Sequence, residues 1–134
     1  MPMQEYHKSR HSAYLLHAHI VFVTKFRKKV FGDVHLAHLQ FVIRSLCEDI
    51  GVDLKECNGE FHHIHLLIEY PPTVQLIKLV TSLKSVSSRR MRGQFSDLRS
   101  AYRKPLLWSR SYFMTSCGGA PLTIISEYVK NQRG

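Results

Sequence analysis

The 134-residue chain lacks the marks of a secreted, membrane-spanning or disulfide-stapled protein. Its three cysteines, Cys47, Cys57 and Cys117, are odd in number, show no C-x-x-C spacing and sit in apolar stretches. They read as reduced core thiols. No apolar run approaches the roughly 18 residues of a membrane span, and no cationic stretch followed by an apolar signal core is present. A cytoplasmic location with no membrane partner is expected. The absence of a Gly-rich phosphate loop argues against a nucleotide cofactor, and there are no repeats or low-complexity segments. Acidic residues are also scarce: ten Asp and Glu face nineteen Lys and Arg, giving a formal charge of +9. That imbalance favours a polyanionic partner, nucleic acid first, although a merely soluble basic surface would carry the same charge.

What is present suits one globular domain spanning residues 1–134, with 44% apolar residues to fill a core. Residues 1–13 are polar and basic, a loose arm. Leu15 to Thr24 is rich in β-branched and aromatic residues and predicts a strand. Asp33 can cap a helix whose apolar positions Leu36, Leu39, Val42, Ile43, Leu46 and Ile50 recur at helical spacing until Gly51. Val52 to Cys57 and Phe61 to Tyr70 predict two strands, with Asn58-Gly59 as the hairpin turn and Pro71-Pro72 as the stop. A second helix runs from Val74 to about Arg92, and residues 93–107 form an irregular connection. Trp108 to Ser116 is a fourth strand broken by Gly118-Gly119, and a last helix spans 120–133. The order is that of an α+β, ferredoxin-like (RRM-like) βαββαβ sandwich with an added C-terminal helix. Both main helices would cover one sheet face, leaving the other for a ligand or partner.

His63 and His65 are two apart in a strand, so their imidazoles share one sheet side, about 6–7 Å apart along the chain. That spacing suits two ligands of one metal, and equally describes two sheet histidines with no metal. Ile64 and Leu66 point into the core; His62 falls with them on alternation, near the strand's exposed end. Tyr128 and Gln132 stand at i and i+4 of the last helix and share a face, where a tyrosine is also an ordinary packing residue. The two patterns fit one chemistry. A phenol attacks a phosphodiester poorly unless a divalent cation polarises the phosphate, and two imidazoles with an amide oxygen leave the cation's charge uncancelled.

Arg10, Lys25, Arg27 and Lys28, together with Lys84, Ser88, Arg89 and Arg90 of the second helix, are candidate nucleic-acid contacts. For each the alternative is a solvated face. Tyr112 could stack a base, as could Trp108, for which sheet packing is at least as good an account.

The segment from Asn58 to Pro72, NGEFHHIHLLIEYPP, resembles the His-hydrophobe-His region of single-tyrosine transposases of the HUH nuclease superfamily, the insertion sequence 200/605 family. Phe22 to Arg27, Leu83 to Arg90, Trp108-Ser109, Ser111 to Phe113, Gly118 to Pro121 and the Tyr128-x-x-x-Gln132 ending extend the resemblance over nearly the whole chain. It implies cleavage and rejoining of single-stranded DNA at insertion-sequence ends through a covalent 5′-phosphotyrosine intermediate. It also implies Mg²⁺ or Mn²⁺ as cofactor and a homodimer that recognises subterminal hairpins. Carried over, Tyr128 is the nucleophile and His63, His65 and Gln132 are the metal ligands. The chain departs from the family at His62, where Asp is frequent, so any help from that carboxylate is missing. Two other functions are compatible with parts of the pattern. One is a non-catalytic RRM-like binding module, although the strand that would carry its aromatics carries histidines. The other is a domesticated relative acting on repeated extragenic palindromes.

Overall fold

The computed structural model describes residues 16–118. β1 (Leu16–Thr24) runs into a single turn at Lys25–Arg27, followed by α1 (Asp33–Ile50), β2 (Asp53–Glu60) and β3 (His63–Tyr70). Next come α2 (Leu76–Gln94), a short α3 (Ser96–Ala101) and β4 (Trp108–Gly118). The sheet order is β2-β3-β1-β4 with every neighbouring pair antiparallel. This is the expected βαββαβ arrangement. The C-terminal helix at 120–133 and the arm at 1–13 lie outside the described residues.

Alternation fixes which side of each strand is core. Ala18, Ile20 and Phe22 of β1 and Ile64, Leu66 and Ile68 of β3 are all fully buried. They share one hydrophobic cluster with Leu39, Val42, Ile43 and Leu46 of α1 and Leu79, Val80 and Leu83 of α2. Each of these Val, Leu, Ile and Phe side chains contributes about 1.5–3 kcal/mol through burial, so the helical stripes rather than helix propensity hold α1 and α2 in place. Gly51 ends α1 in the left-handed region (φ 84°), its N–H reaching the Cys47 and Glu48 carbonyls. Asp33 is the first helical residue of α1 rather than its cap. Gly32 occupies the cap, and its N–H donates to Nδ1 of His35 at 2.9 Å.

The structure corrects the hairpin. Asn58 and Gly59 lie within β2, opposite His65 and Ile64, and the turn is made by Phe61 and His62. Gly59 answers to packing, not to turn geometry. A Cβ there would stand 2.7 Å from Leu36 Cδ2 and 3.1 Å from the His63 carbonyl oxygen, so α1 packs this closely over β2 only because the residue is glycine. The connection at 93–107 is also more ordered than its composition predicts. Buried Leu98 anchors α3, Asp97 accepts from or pairs with His35 Nε2 at 2.9 Å, and Arg99 Nη1 donates to the Arg92 carbonyl at the end of α2.

The second sheet face is not open where the sequence leaves it open. His63, His65, Leu67 and Glu69 of β3, and His17 and His19 of β1, are all buried. Cys47 and Cys57 are free, and burial pushes both thiols up to about 12, so they are protonated near neutral pH.

Candidate active site

β3 is an interior strand, hydrogen-bonded to β1 on one side and β2 on the other, so its backbone is fixed along its length. His63 stands opposite Val23 and Glu60, and His65 opposite Val21 and Asn58. Their ring centroids are 4.8 Å apart at 77°, so the expected side-by-side placement holds. Each ring is held through Nδ1. His63 Nδ1 lies 2.8 Å from Nδ1 of His62 in the turn, and His65 Nδ1 lies 3.4 Å from Nε2 of His19. The His19 ring runs parallel to that of His65, at 6° between planes, with its other edge against Phe113. Burial lowers the pKa of His19, opposed in part by Glu56, which favours the neutral imidazole that can accept from His65 Nδ1–H. An Nδ1–H tautomer puts the lone pair of His65 on Nε2, the nitrogen then able to ligate a metal.

The donor chemistry therefore fits a divalent cation: two neutral nitrogens side by side, each oriented by a further imidazole. Among the described residues no third His, Cys, Asp or Glu joins them in a metal-binding group. Gln132 and Tyr128 lie outside the described residues, as does Arg10. His62, the residue before the pair, engages His63 through a ring nitrogen where an acidic residue is the expected neighbour.

Sequence reasoning missed His19. The signal was present: His17-Ala18-His19 repeats in β1 the spacing of His63-Ile64-His65, so both pairs fall on one sheet side. Its other member, His17, meets Glu69 at 3.4 Å, and Lys55 lies 3.7 Å from the second oxygen of that buried carboxylate. This pairing sits at the opposite end of β3 from His63.

Of the candidate nucleic-acid contacts, the first group is joined to the histidines. Thr24 N–H donates to the His62 carbonyl at 2.9 Å, and Thr24 Oγ1 donates to the Lys28 carbonyl at 2.7 Å. Arg27, Lys28 and Lys29 are exposed there, with Lys29 Nζ 4.9 Å from the ring of Phe61 in the hairpin turn. The second group lies on the helix-covered side. Arg89 and Arg90 are exposed, whereas Lys84 donates to the carbonyls of Ser109 and Arg110 and passes over Tyr112 at 5.3 Å. Partial burial lowers the Lys84 pKa. Ser88 is buried and accepts from Arg92 Nε at 3.2 Å. Tyr112 meets Phe22 edge-on. Trp108 is buried, with Nε1–H donating to Ser87 Oγ at 2.9 Å, which settles it as a packing residue.

No helix among the described residues is long and apolar enough to cross a membrane. The chain is 33% identical over 114 residues to the transposase of insertion sequence element IS200 from Salmonella typhimurium, covering 85% of this chain and 74% of that one. It is 25% identical over 128 residues to the ISDra2 transposase TnpA of Deinococcus radiodurans, covering 96% and 91%. A crystal structure of a Deinococcus radiodurans R1 protein described as a transposase superposes with a TM-score of 0.77 at 28% identity, covering 93% of this chain and 96% of that one. A REP-associated tyrosine transposase bound to a REP hairpin shares the fold, with a TM-score of 0.51 at 12% identity, covering 91% and 68%. The family profile described as "Transposase IS200 like" matches residues 12–132, a span that takes in both histidines and the positions of Tyr128 and Gln132. The chain belongs to the IS200-like transposases, enzymes that cut DNA and transfer its strands.

Proposed function

We propose that this transposase cuts and rejoins single-stranded DNA at insertion-sequence ends, with Tyr128 as nucleophile and with His63, His65 and Gln132 as ligands of Mg²⁺ or Mn²⁺. The observation that carries it is the buried pair His63 and His65, each held through Nδ1 on a strand fixed from both sides. Support comes from the family match, which runs through both C-terminal positions. When bound, the cation would withdraw charge from the scissile phosphate. The Tyr128 oxygen attacks phosphorus, its proton passes to solvent, and the P–O3′ bond breaks to release a 3′-hydroxyl. A second 3′-hydroxyl then attacks the phosphotyrosine and regenerates the phenol. One phosphodiester is exchanged for another, so no energy-rich cofactor is required.

Incubation with a 3′-labelled single-stranded element end and Mg²⁺ tests this function, because the tyrosine keeps the DNA 3′ of the cut. It should give a DNA-linked protein band whose modified peptide contains Tyr128; cleavage to free 5′-phosphate with no such species would mark a hydrolase instead. The natural DNA is inferred to be an imperfect hairpin near each end, bound by a homodimer.

In that dimer each site would combine His63 and His65 of one subunit with Tyr128 and Gln132 of the other. β4 reaches Gly118, and Gly119 follows, a glycine pair that lets the chain turn toward either subunit. A heterodimer of a His63→Ala, His65→Ala chain with a Tyr128→Phe chain is expected to regain about one active site per dimer, since only one of two shared sites collects both lesions. Cleavage at the level of either parent, in a verified heterodimer that binds hairpin DNA, would place each site within one subunit.

A further inference from the structure

We propose that the groove between the Lys25–Arg27 turn and the segment after α3 holds one unstacked nucleobase of single-stranded DNA, with Phe26 as the stacking platform. This rests on the function proposed above. The groove has a volume of about 690 Å³ and is lined by Lys25, Phe26, Lys28, Tyr102, Arg103 and Lys104, among others, with no carboxylate in its wall.

Phe26 carries two costs at once. Its backbone is left-handed (φ 60°, ψ 17°), a region in which a bulky residue is a genuine outlier, and Arg27 beside it is left-handed as well (φ 53°). Such strain persists only where the surrounding structure holds it, and here the residue held is 76% exposed. Strain combined with an exposed aromatic marks a residue kept for contact with something else.

The surrounding bonds hold the turn in that shape. Lys25 N–H donates to the Leu107 carbonyl at 2.9 Å, Tyr102 Oη donates to the Lys25 carbonyl at 2.8 Å, and Lys28 Nζ donates to the Ala101 carbonyl. The platform is therefore rigid before any ligand arrives, which reduces the entropy lost on binding.

The charges identify the ligand. Lys25 Nζ lies 5.3 Å from the Phe26 ring centroid and Lys28 Nζ 5.0 Å from that of Tyr102, while Arg103 and Lys104 are exposed at the rim. Aromatic face plus cations is the pairing that takes a base together with its flanking phosphates, and a π-face accepts any base. A stacked duplex offers no free base face, so the ligand is single-stranded. Thr24, at the root of this turn, donates its N–H to the carbonyl of His62, so the turn adjoins the hairpin that leads into His63.

The test is fluorescence anisotropy on the full chain without divalent metal. It uses an element-end oligonucleotide and a set of copies with one abasic site stepped along the single-stranded part. Phe26→Ala should weaken binding about 5- to 150-fold, the range for losing one base–aromatic stack. Phe26→Gly should do the same while fitting the left-handed backbone better, so misfolding cannot explain the loss. Phe26→Tyr keeps a ring and should bind close to wild type. An abasic site at one position should weaken wild type by a similar factor and leave Phe26→Ala unchanged. Unchanged affinity in Phe26→Ala and Phe26→Gly, or an equal loss for every abasic copy, would overturn the base pocket even if the Tyr128 adduct forms normally. A wild-type chain that binds no single-stranded DNA would overturn the pocket and the proposed function together.

Discussion

Tyr128→Phe is expected to abolish the covalent protein–DNA species and to lower strand cleavage at least about a thousandfold, as removal of a nucleophile does when the rest of the site persists. The substitution deletes one oxygen and keeps the ring, so packing and hairpin binding should be retained. Two assays on the same preparation decide it: denaturing electrophoresis with 3′-labelled DNA for the adduct, and a gel shift for binding. An adduct of undiminished yield in Tyr128→Phe would remove Tyr128 from the mechanism. Loss of both adduct and binding would instead show that the phenol oxygen supports the DNA-binding form of the protein.

Replacing His63 and His65 together with alanine, or adding EDTA to the wild type, should reduce cleavage by about three orders of magnitude. That is the consequence of losing several kcal/mol of charge stabilisation at the phosphate. The double variant should also bind Mn²⁺ far more weakly by calorimetry, a measurement independent of turnover. Hairpin binding should survive both treatments, because it rests on phosphate contacts and weakens with salt rather than with chelation. The rings sit on a strand bonded on both sides, so truncation should leave the backbone in place. Full cleavage by the double variant in EDTA would exclude a histidine-held metal.

Local periodicity carried most of the fold. β1, α1, β3, α2 and β4 lie within about two residues of where alternation and helical spacing put them, because each buries one regular face. Asn58-Gly59 misled because glycine has two uses that look alike in a sequence. Here it admits Leu36 and the His63 carbonyl rather than a positive φ, a tertiary contact that the local sequence does not encode. The shortness of α3 hid it, since six residues show less than two turns of period. His63 and His65 were legible because two-residue spacing guarantees a common side, and His17 and His19 were equally legible. Spacing alone did not show that His19 would lie against His65, which depends on the β1–β3 register. Nor does any residue pattern reveal that Phe26 and Arg27 adopt left-handed backbones, since neither is a type that prefers them.

The turn at Phe26 and Arg27 sets stability against function. Glycine at either position would relieve a strain of about 1–2 kcal/mol, less the roughly 0.5–1 kcal/mol of chain entropy it adds, a net gain that raises the melting temperature by a few degrees. Arg27→Gly should show the net gain in a thermal melt, and a melting temperature at or below wild type would show that the strain relieved is smaller than the chain entropy glycine adds. A search for more heat-resistant variants, scored by melting alone, would therefore be drawn to these two positions. It would trade the exposed ring and its neighbouring guanidinium for a better-folded protein with a poorer hold on DNA.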